Sequence, residues 1–427
     1  MRDESGATSR RDFARLALGA GVAALGAGAR AGETCRDAAQ APAYHVTELR
    51  PLGEIDPGVA WGVHIEGGGV YDTSFTDAIA KERPRLLAVG SGLKFGSLHP
   101  SSEAFERRDG DKGLSTWTET DDIVRLAQKL GVPTRGDAMI WNDWLPQWIV
   151  DLAKQRPQGW RDKLQEVFEQ NFKAIFAHLD GLDRRYGQPV MPWRGLVNEP
   201  LAFWNMANGG VEWRPGVWLD AFEAHADGTP GYIHKAFEIC ERLRGAAKPA
   251  LYLNEANCDN DKYGPALRKG MLMLVDSLQK AGRVVDAVGL EAHLQPEWMH
   301  DPLRPNWKSL VDFLRELQKR GLDVYVTELD VNDCVVADLK KRDQLVTDYT
   351  YSFAAAALEV PAVTMITNWD FSDGASWYRD VNTVRALGRW AGCQPHPACP
   401  RPTMYNEKLA PKAARDALAR ALAGRRG

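Results

Sequence analysis

From residue 60 onward, eight short β-branched or apolar runs alternate with segments of helical character, and no two of the runs are joined as a hairpin. The runs are Ala60–Ile65, Arg85–Val89, Thr134–Ile140, Arg194–Val197, Ala250–Leu253, Ala287–Leu290, Val324–Thr327 and Val363–Asn368. Between them fall helix-like stretches such as Asp121–Leu130, Trp160–Tyr186, Tyr232–Arg244, Ala266–Ala281, Trp307–Arg320 and Leu339–Leu358, with Glu407–Ala423 at the end. Strand then helix, repeated eight times, predicts an α/β chain closed as a (β/α)8 TIM barrel in a single domain. The 427 residues, 44% of them hydrophobic, are ample for it, since such a barrel uses about 250. An open doubly wound sheet is the alternative. It lacks support because Gly67-Gly68-Gly69, after the first strand, does not have the G-x-G-x-x-G spacing of a phosphate loop.

The front end reads differently. Ser9-Arg10-Arg11-Asp12-Phe13, a small weakly apolar stretch from Leu16 to Gly28, and Ala29-Arg30-Ala31 have the order of a twin-arginine-type export signal over residues 1–31. Residues 32–57 read as a loose leader, and 58–427 as the barrel. Removal of the signal would leave 48 basic and 54 acidic residues, a net charge of −6. A mildly acidic surface excludes a nucleic-acid footprint. No apolar run after residue 32 is long enough to span a membrane. The expectation is a periplasmic or extracellular monomer. Six cysteines in an exported chain permit disulfides. Cys393 and Cys399 flank a Pro-rich loop and are expected to pair locally, and a Cys258–Cys334 bond is plausible because both follow strand ends.

Polar and aromatic groups gather just past nearly every strand: His64, Lys94, Asp137 with Trp141 and Asn142, Asn198-Glu199, Asn254-Glu255, Glu291 and His293, Glu328 and Asp330, and Trp369-Asp370. In a parallel barrel that end carries the site, because its loops converge there. Val324-Tyr325-Val326-Thr327 ends on Glu328, with Asp330 on the same side by strand alternation. Gly195-Leu196-Val197 leads likewise to Asn198-Glu199. Two carboxylates across one cleft, in a chain with fifteen Trp, fit glycosidic bond cleavage: one acid is held protonated for the leaving oxygen and the other ionised for the anomeric carbon. Asn198 is placed to orient a sugar hydroxyl, and His293 and Asp330 to keep Glu328 charged.

Four motifs in order, Trp193-x-x-x-Val197-Asn198-Glu199, Gly289-Leu-x-x-His293-Leu294, Val326-Thr327-Glu328-Leu329-Asp330 and Trp369-x-x-x-Asp373-x-x-Ser376-Trp377, resemble glycoside hydrolase family ten. Arg401-Pro402-Thr403-Met404-Tyr405 is similar to that family's closing motif, so the resemblance spans roughly residues 59–410. It implies a retaining endo-β-1,4-xylanase-like barrel with Glu199 as acid/base and Glu328 as nucleophile. It also implies His293 as the nucleophile's support and Trp369 and Trp377 as the roof over the sugar at the cleavage point.

The departures lie among the sugar-holding groups. The family's Glu-Asn-x-x-Lys-Trp reads Gly90-Ser91-Gly92-Leu93-Lys94-Phe95, keeping only Lys94. Two family histidines are Asp137 and Asn142, a Gln is Trp144, and the Gln before the histidine motif is Glu291. Asn254 stands in the altered Asn254-Glu255-Ala256-Asn257. The substrate-binding set is therefore expected to be Lys94, Asp137, Trp141, Asn142, Trp144, Asn254, Glu291, Trp369 and Trp377, acting on a decorated xylan or related β-linked glycan. Asp137 is expected to make the glycone side more acidic. Leu201–Thr229 is an insertion whose Trp204, Trp213 and Trp218 either form a platform for the leaving group or pack the loop down; Trp148 reads as structural. A non-catalytic glycan-binding barrel and a β-glucanase or β-galactanase of the same architecture are the alternatives. No motif implies a cofactor, and the histidine spacing implies no metal.

Overall fold

The computed structural model describes residues 44–107, 117–204, 210–334, 336–380 and 399–425. Eight parallel strands form the barrel: β1 (Ala60–Ile65), β2 (Leu86–Val89), β3 (Thr134–Gly136), β4 (Trp193–Asn198), β5 (Ala250–Glu255), β6 (Ala287–Leu290), β7 (Asp323–Val331) and β8 (Val363–Asn368). Successive strands pair, β6 pairs with β7, and β1 pairs with both β2 and β8, which closes the ring. A two-residue ladder, His293–Leu294, continues past β6 beside Asp330 and Val331. The (β/α)8 expectation holds.

Two strands depart most from their expected lengths. β3 stops at Gly136 because Ala138 takes a left-handed φ of 60°, and Ile140 rejoins the sheet only as an isolated bridge to Val197. β7 runs on to Val331, so both Glu328 and Asp330 lie within it. Among the described residues, sequence periodicity missed five short helices, Thr73–Lys81, Phe95–Leu98, Ser102–Arg107, Gln147–Gln155 and Val217–Ala221. The longest helix, Trp160–Tyr186, buries Leu164, Phe168, Phe172, Ile175, Phe176 and Leu179, one stripe at three- and four-residue spacing.

The barrel interior is plugged in two layers. Leu86, Tyr252, Ala287, Tyr325 and Met365 form an apolar cluster. Against it lies Arg135, fully buried, which donates to Asp137, to Tyr252 Oη at 2.8 Å and to the Thr327 carbonyl at 2.8 Å. This plug is the floor on which the strand-end groups stand.

The described part of the leader is not loose. Tyr44 Oη and the Thr47 amide donate to Asp416 at 2.8 and 2.7 Å, Arg415 reaches the carbonyls of Glu48 and Arg50, and Leu52 is buried. Residues 44–52 are thus strapped onto the C-terminal helix Ala413–Ala423. The Cys258–Cys334 pairing is also overturned: Cys258 is a buried free thiol, whereas Cys334 and Cys399 are each disulfide-bonded. Cys393 and residues 1–31 lie outside the described residues.

Candidate active site

Irregular backbone at the strand ends sets the two acids. The β4 register shifts between Gly195 and Val197, and β7 shifts between Val326 and Leu329. Glu199, immediately after β4, adopts a left-handed φ of 45°; for a non-glycine residue that conformation costs on the order of 1–3 kcal/mol and persists only where surroundings impose it. Those surroundings include a hydrogen bond that the Glu199 backbone amide donates to the Asn254 carbonyl at 2.9 Å. Asn254, fully buried, donates to Asn198 Oδ1 at 2.8 Å and to Glu328 Oε1 at 3.1 Å, and accepts from Thr327 Oγ1 at 2.8 Å. One side chain therefore ties the β4 end to the β7 end. The Glu199 and Glu328 side chains remain 15% and 9% exposed, so both are open to a ligand.

Glu328 is held as an anion. His293 places Nε2 3.2 Å from Glu328 Oε2 and Nδ1 2.9 Å from Asp330 Oδ1, while Trp377 Nε1 donates to the other Asp330 oxygen at 2.7 Å. Burial works against a charged imidazole, but Asp330 and Glu328 together lift the His293 pKa well above its ordinary value. Both ring nitrogens are then donors. Burial likewise opposes a charged Glu328, yet the His293 bond and charge, then Arg135 and Lys94, bring its pKa below the usual carboxylate range.

Glu199 sits among different partners. Its Oε2 accepts from Arg214 and from Trp141 Nε1 at 3.2 Å, and Arg214 also bonds Asp143. Two further carboxyls flank it. Glu255 is buried, takes the Leu201 amide at 3.0 Å, and is pushed well up in pKa by burial and then by the Glu199 charge. Glu291 is 3% exposed and is pushed well up by burial, then by Glu199 and Glu328. A neutral Glu291 is a hydrogen-bond donor, as an amide would be.

The remaining sequence-derived residues divide into two groups. Lys94, Trp141, Trp144, Trp369 and Trp377 meet at the mouth: Lys94 Nζ lies 5.4 Å from the Trp141 ring and 4.8 Å from the Trp144 ring, and Trp369 and Trp377 pack 6.0 and 4.8 Å from His293. Asp137, Asn142 and Asn254 are engaged by bonds within the protein. Asp137 is 2% exposed and paired with Arg135 in the barrel floor, which removes the reason to expect an acidic glycone side. Asn142 accepts the Trp218 amide at 3.1 Å and props the insertion. Asn254 positions the acids from below.

Within the insertion, Trp218 is fully buried and packs on Phe95 and Phe168, and Trp213 donates to the Gly228 carbonyl at 3.0 Å. Trp204 instead lies 5.0 Å from the Arg214 guanidinium. Trp148 packs on Phe95 and Phe105 and donates to the His99 carbonyl at 3.0 Å, a structural role. Sequence reasoning missed Arg214 and Asp143, which carry no periodic signal. It also missed Glu66, whose place just past β1 should have put it with the other strand-end groups.

A parallel barrel whose mouth carries two unlike carboxyl environments walled by tryptophan defines a glycoside hydrolase. Over residues 56–421 the chain matches glycosyl hydrolase family 10, and it belongs to that family. It is a retaining, endo-1,4-β-xylanase-like enzyme of that family. Similar proteins include the endo-1,4-beta-xylanases C and A of Phanerodontia chrysosporium, 27% and 25% identical over 331 residues, which cover 77% of this chain and 71% and 69% of theirs. Among solved structures, xylanase 10B from Thermotoga petrophila, crystallised with xylobiose, shares the fold at a TM-score of 0.67 and 20% identity, covering 89% of this chain and 98% of that one.

Proposed function

We propose that the protein cleaves internal β-1,4 links of a decorated xylan by double displacement, with Glu199 as acid/base and Glu328 as nucleophile. The observation that carries this reading is the His293 bridge, which donates to Glu328 and Asp330 together and keeps Glu328 ionised and aimed. In the first step the Glu328 carboxylate bonds the anomeric carbon while Glu199 gives its proton to the departing oxygen. In the second, Glu199 takes a proton from water, which attacks the same carbon and releases Glu328. Asn254 and Arg214 keep the two acids in place through both steps. The names of the relatives and the sugar held by the Thermotoga petrophila protein support a xylan backbone as substrate. The altered groups at Ser91 and Glu291 support a preference for branched chains. The paired arginines of residues 10 and 11 support export, and the enzyme then acts as a monomer outside the cytoplasm.

A binding-only barrel is disfavoured by the strained φ at Glu199 and the charged bridge at Glu328, neither of which a passive glycan site needs. The test pairs a variant with a small nucleophile. Glu328→Ala should abolish turnover of an aryl β-xyloside, and added azide should restore it with formation of the α-glycosyl azide. Persistent turnover in Glu328→Ala overturns the assignment. Comparison of plain with arabinose- and uronate-branched xylans tests the substrate; equal rates on all of them would remove the branched-chain preference.

A further inference from the structure

The end of β2 is bare of side chains at Gly90, and a carboxylate from β1 fills the gap. A Cβ at Gly90 would fall 2.8 Å from Glu66 Oε1 and nearer still to His64 Nε2. Glu66 follows β1 directly, and its side chain is half exposed at the mouth. Its oxygens lie 3.4 and 3.3 Å from Ser91 Oγ, and Oε1 lies 3.4 Å from His64 Nε2. These are long contacts that leave acceptor positions open.

The surroundings fix the charge of the group. Burial alone would keep His64 neutral, but Asp370, at 3.1 Å from Nδ1, and Glu66 bring its pKa to about 9. Burial also opposes a charged Glu66, yet His64, then Lys94 and Ser91, hold its pKa down at about 2. An ionised carboxylate only accepts hydrogen bonds, so it selects ligands that donate them, such as sugar hydroxyls. The group also has a defined distance from the chemistry. His64 stacks on Trp369 with ring centroids 3.6 Å apart, and Trp369 packs edge-on at 6.0 Å from His293, which holds Glu328. Glu66 is therefore one aromatic platform removed from the reacting centre, and Lys94, whose charge acts on it, lies 5.4 Å from the Trp141 ring.

We infer that Glu66 is the hydroxyl-accepting carboxylate of the sugar subsite next to the reacting one, on the Lys94 side of the cleft, and that Gly90 makes room for it. The ligand is a neutral pyranosyl unit with adjacent hydroxyls that a carboxylate can take in pairs. This deepens the proposed function and rests on it.

The test uses the full enzyme with an aryl β-xyloside, which fills only the reacting subsite, and an aryl β-xylobioside, which also fills the next one. The readout is the ratio of kcat/KM for the second substrate to that for the first; because it is internal to each variant, an inactive fraction cancels. Loss of a hydrogen bond to a charged group predicts a ratio roughly ten- to hundredfold lower in Glu66→Ala, with Glu66→Gln in between. Gly90→Ala keeps the carboxylate in the chain but displaces it, and should lower the ratio as well. A ratio within about twofold of wild type in Glu66→Ala, the range left when no charged hydrogen bond is lost, overturns the subsite. Wild-type enzyme that turns over neither substrate would instead bring down the hydrolase reading itself.

Discussion

Arg214, on the segment that follows β4, donates to the same Glu199 oxygen that accepts from Trp141 Nε1, and it carries Asp143 on its other amine. Neither partner comes from the strand that carries Glu199. The acid is oriented from outside the barrel, by a residue 15 positions further along the chain.

Removing this guanidinium should therefore act on proton transfer to the leaving group. Arg214→Ala should lower kcat by roughly ten- to hundredfold, the scale of a charge-assisted hydrogen bond. The loss should be steeper for aryl glycosides with poor leaving groups, which need the proton, than for nitrophenyl ones. An equal loss across a leaving-group series would show that Arg214 supports the loop and not the acid.

His293 is predicted to set the acidic edge of activity. Its bond and charge are the main forces holding the Glu328 pKa below the ordinary range against burial. In His293→Ala, Glu328 loses that opposition to burial, so it takes up a proton at higher pH. The acidic limb of kcat/KM should then move upward, on top of a lower maximum. An unmoved limb would dissociate His293 from the state of Glu328.

Glu291 makes a stability prediction of definite sign. Its folded pKa is raised well above the 4.5 of a free glutamate by burial, Glu199 and Glu328. Its contribution is whole below 4.5 and is lost as pH rises toward the folded value, at about 1.4 kcal/mol per pH unit while only the unfolded state is ionised. Glu291→Gln cannot ionise, so it should gain stability over wild type as pH is raised from 5 to 9, with little difference at 5. Urea melts at several pH values read this directly, and parallel curves would sink it.

The floor pair offers a test of the fold itself. Arg135 and Asp137 are both buried and bonded to each other. Arg135→Met would strand a carboxylate in the barrel interior and should cost about 3–5 kcal/mol in urea unfolding, with much of it recovered by adding Asp137→Ala. A single variant as stable as wild type would mean that Asp137 is neutral there.

The barrel and its two central acids were legible because strand composition and strand-end carboxylates are local signals. Trp369 and His293 were reached in the same way, at or shortly past their strand ends, whereas Asp330 lies within β7 and Trp377 further along the loop after β8. Asp137 was misread although its explanation lay two residues away: alternation puts Arg135 on the same face, and an Arg and an Asp so placed inside a barrel neutralise one another. Arg214 could not be read, since a lone cation in an aperiodic insertion points nowhere until the chain is folded. Glu66 fell just beyond the last residue of β1, and its meaning depends on the absence of a side chain at Gly90, just past β2. The Cys258–Cys334 expectation failed for a related reason, because proximity to strand ends says nothing about which thiols meet.

The strap of residues 44–52 across the final helix has a practical consequence for where this enzyme begins. The similarity to its family starts at residue 56, so a boundary drawn there would look natural. Such a cut would discard the hydroxyl, amide and carbonyl groups that hydrogen-bond Asp416 and Arg415 in the intact chain. The shortest chain that resembles a xylanase would thus lack the segment that ties down its final helix.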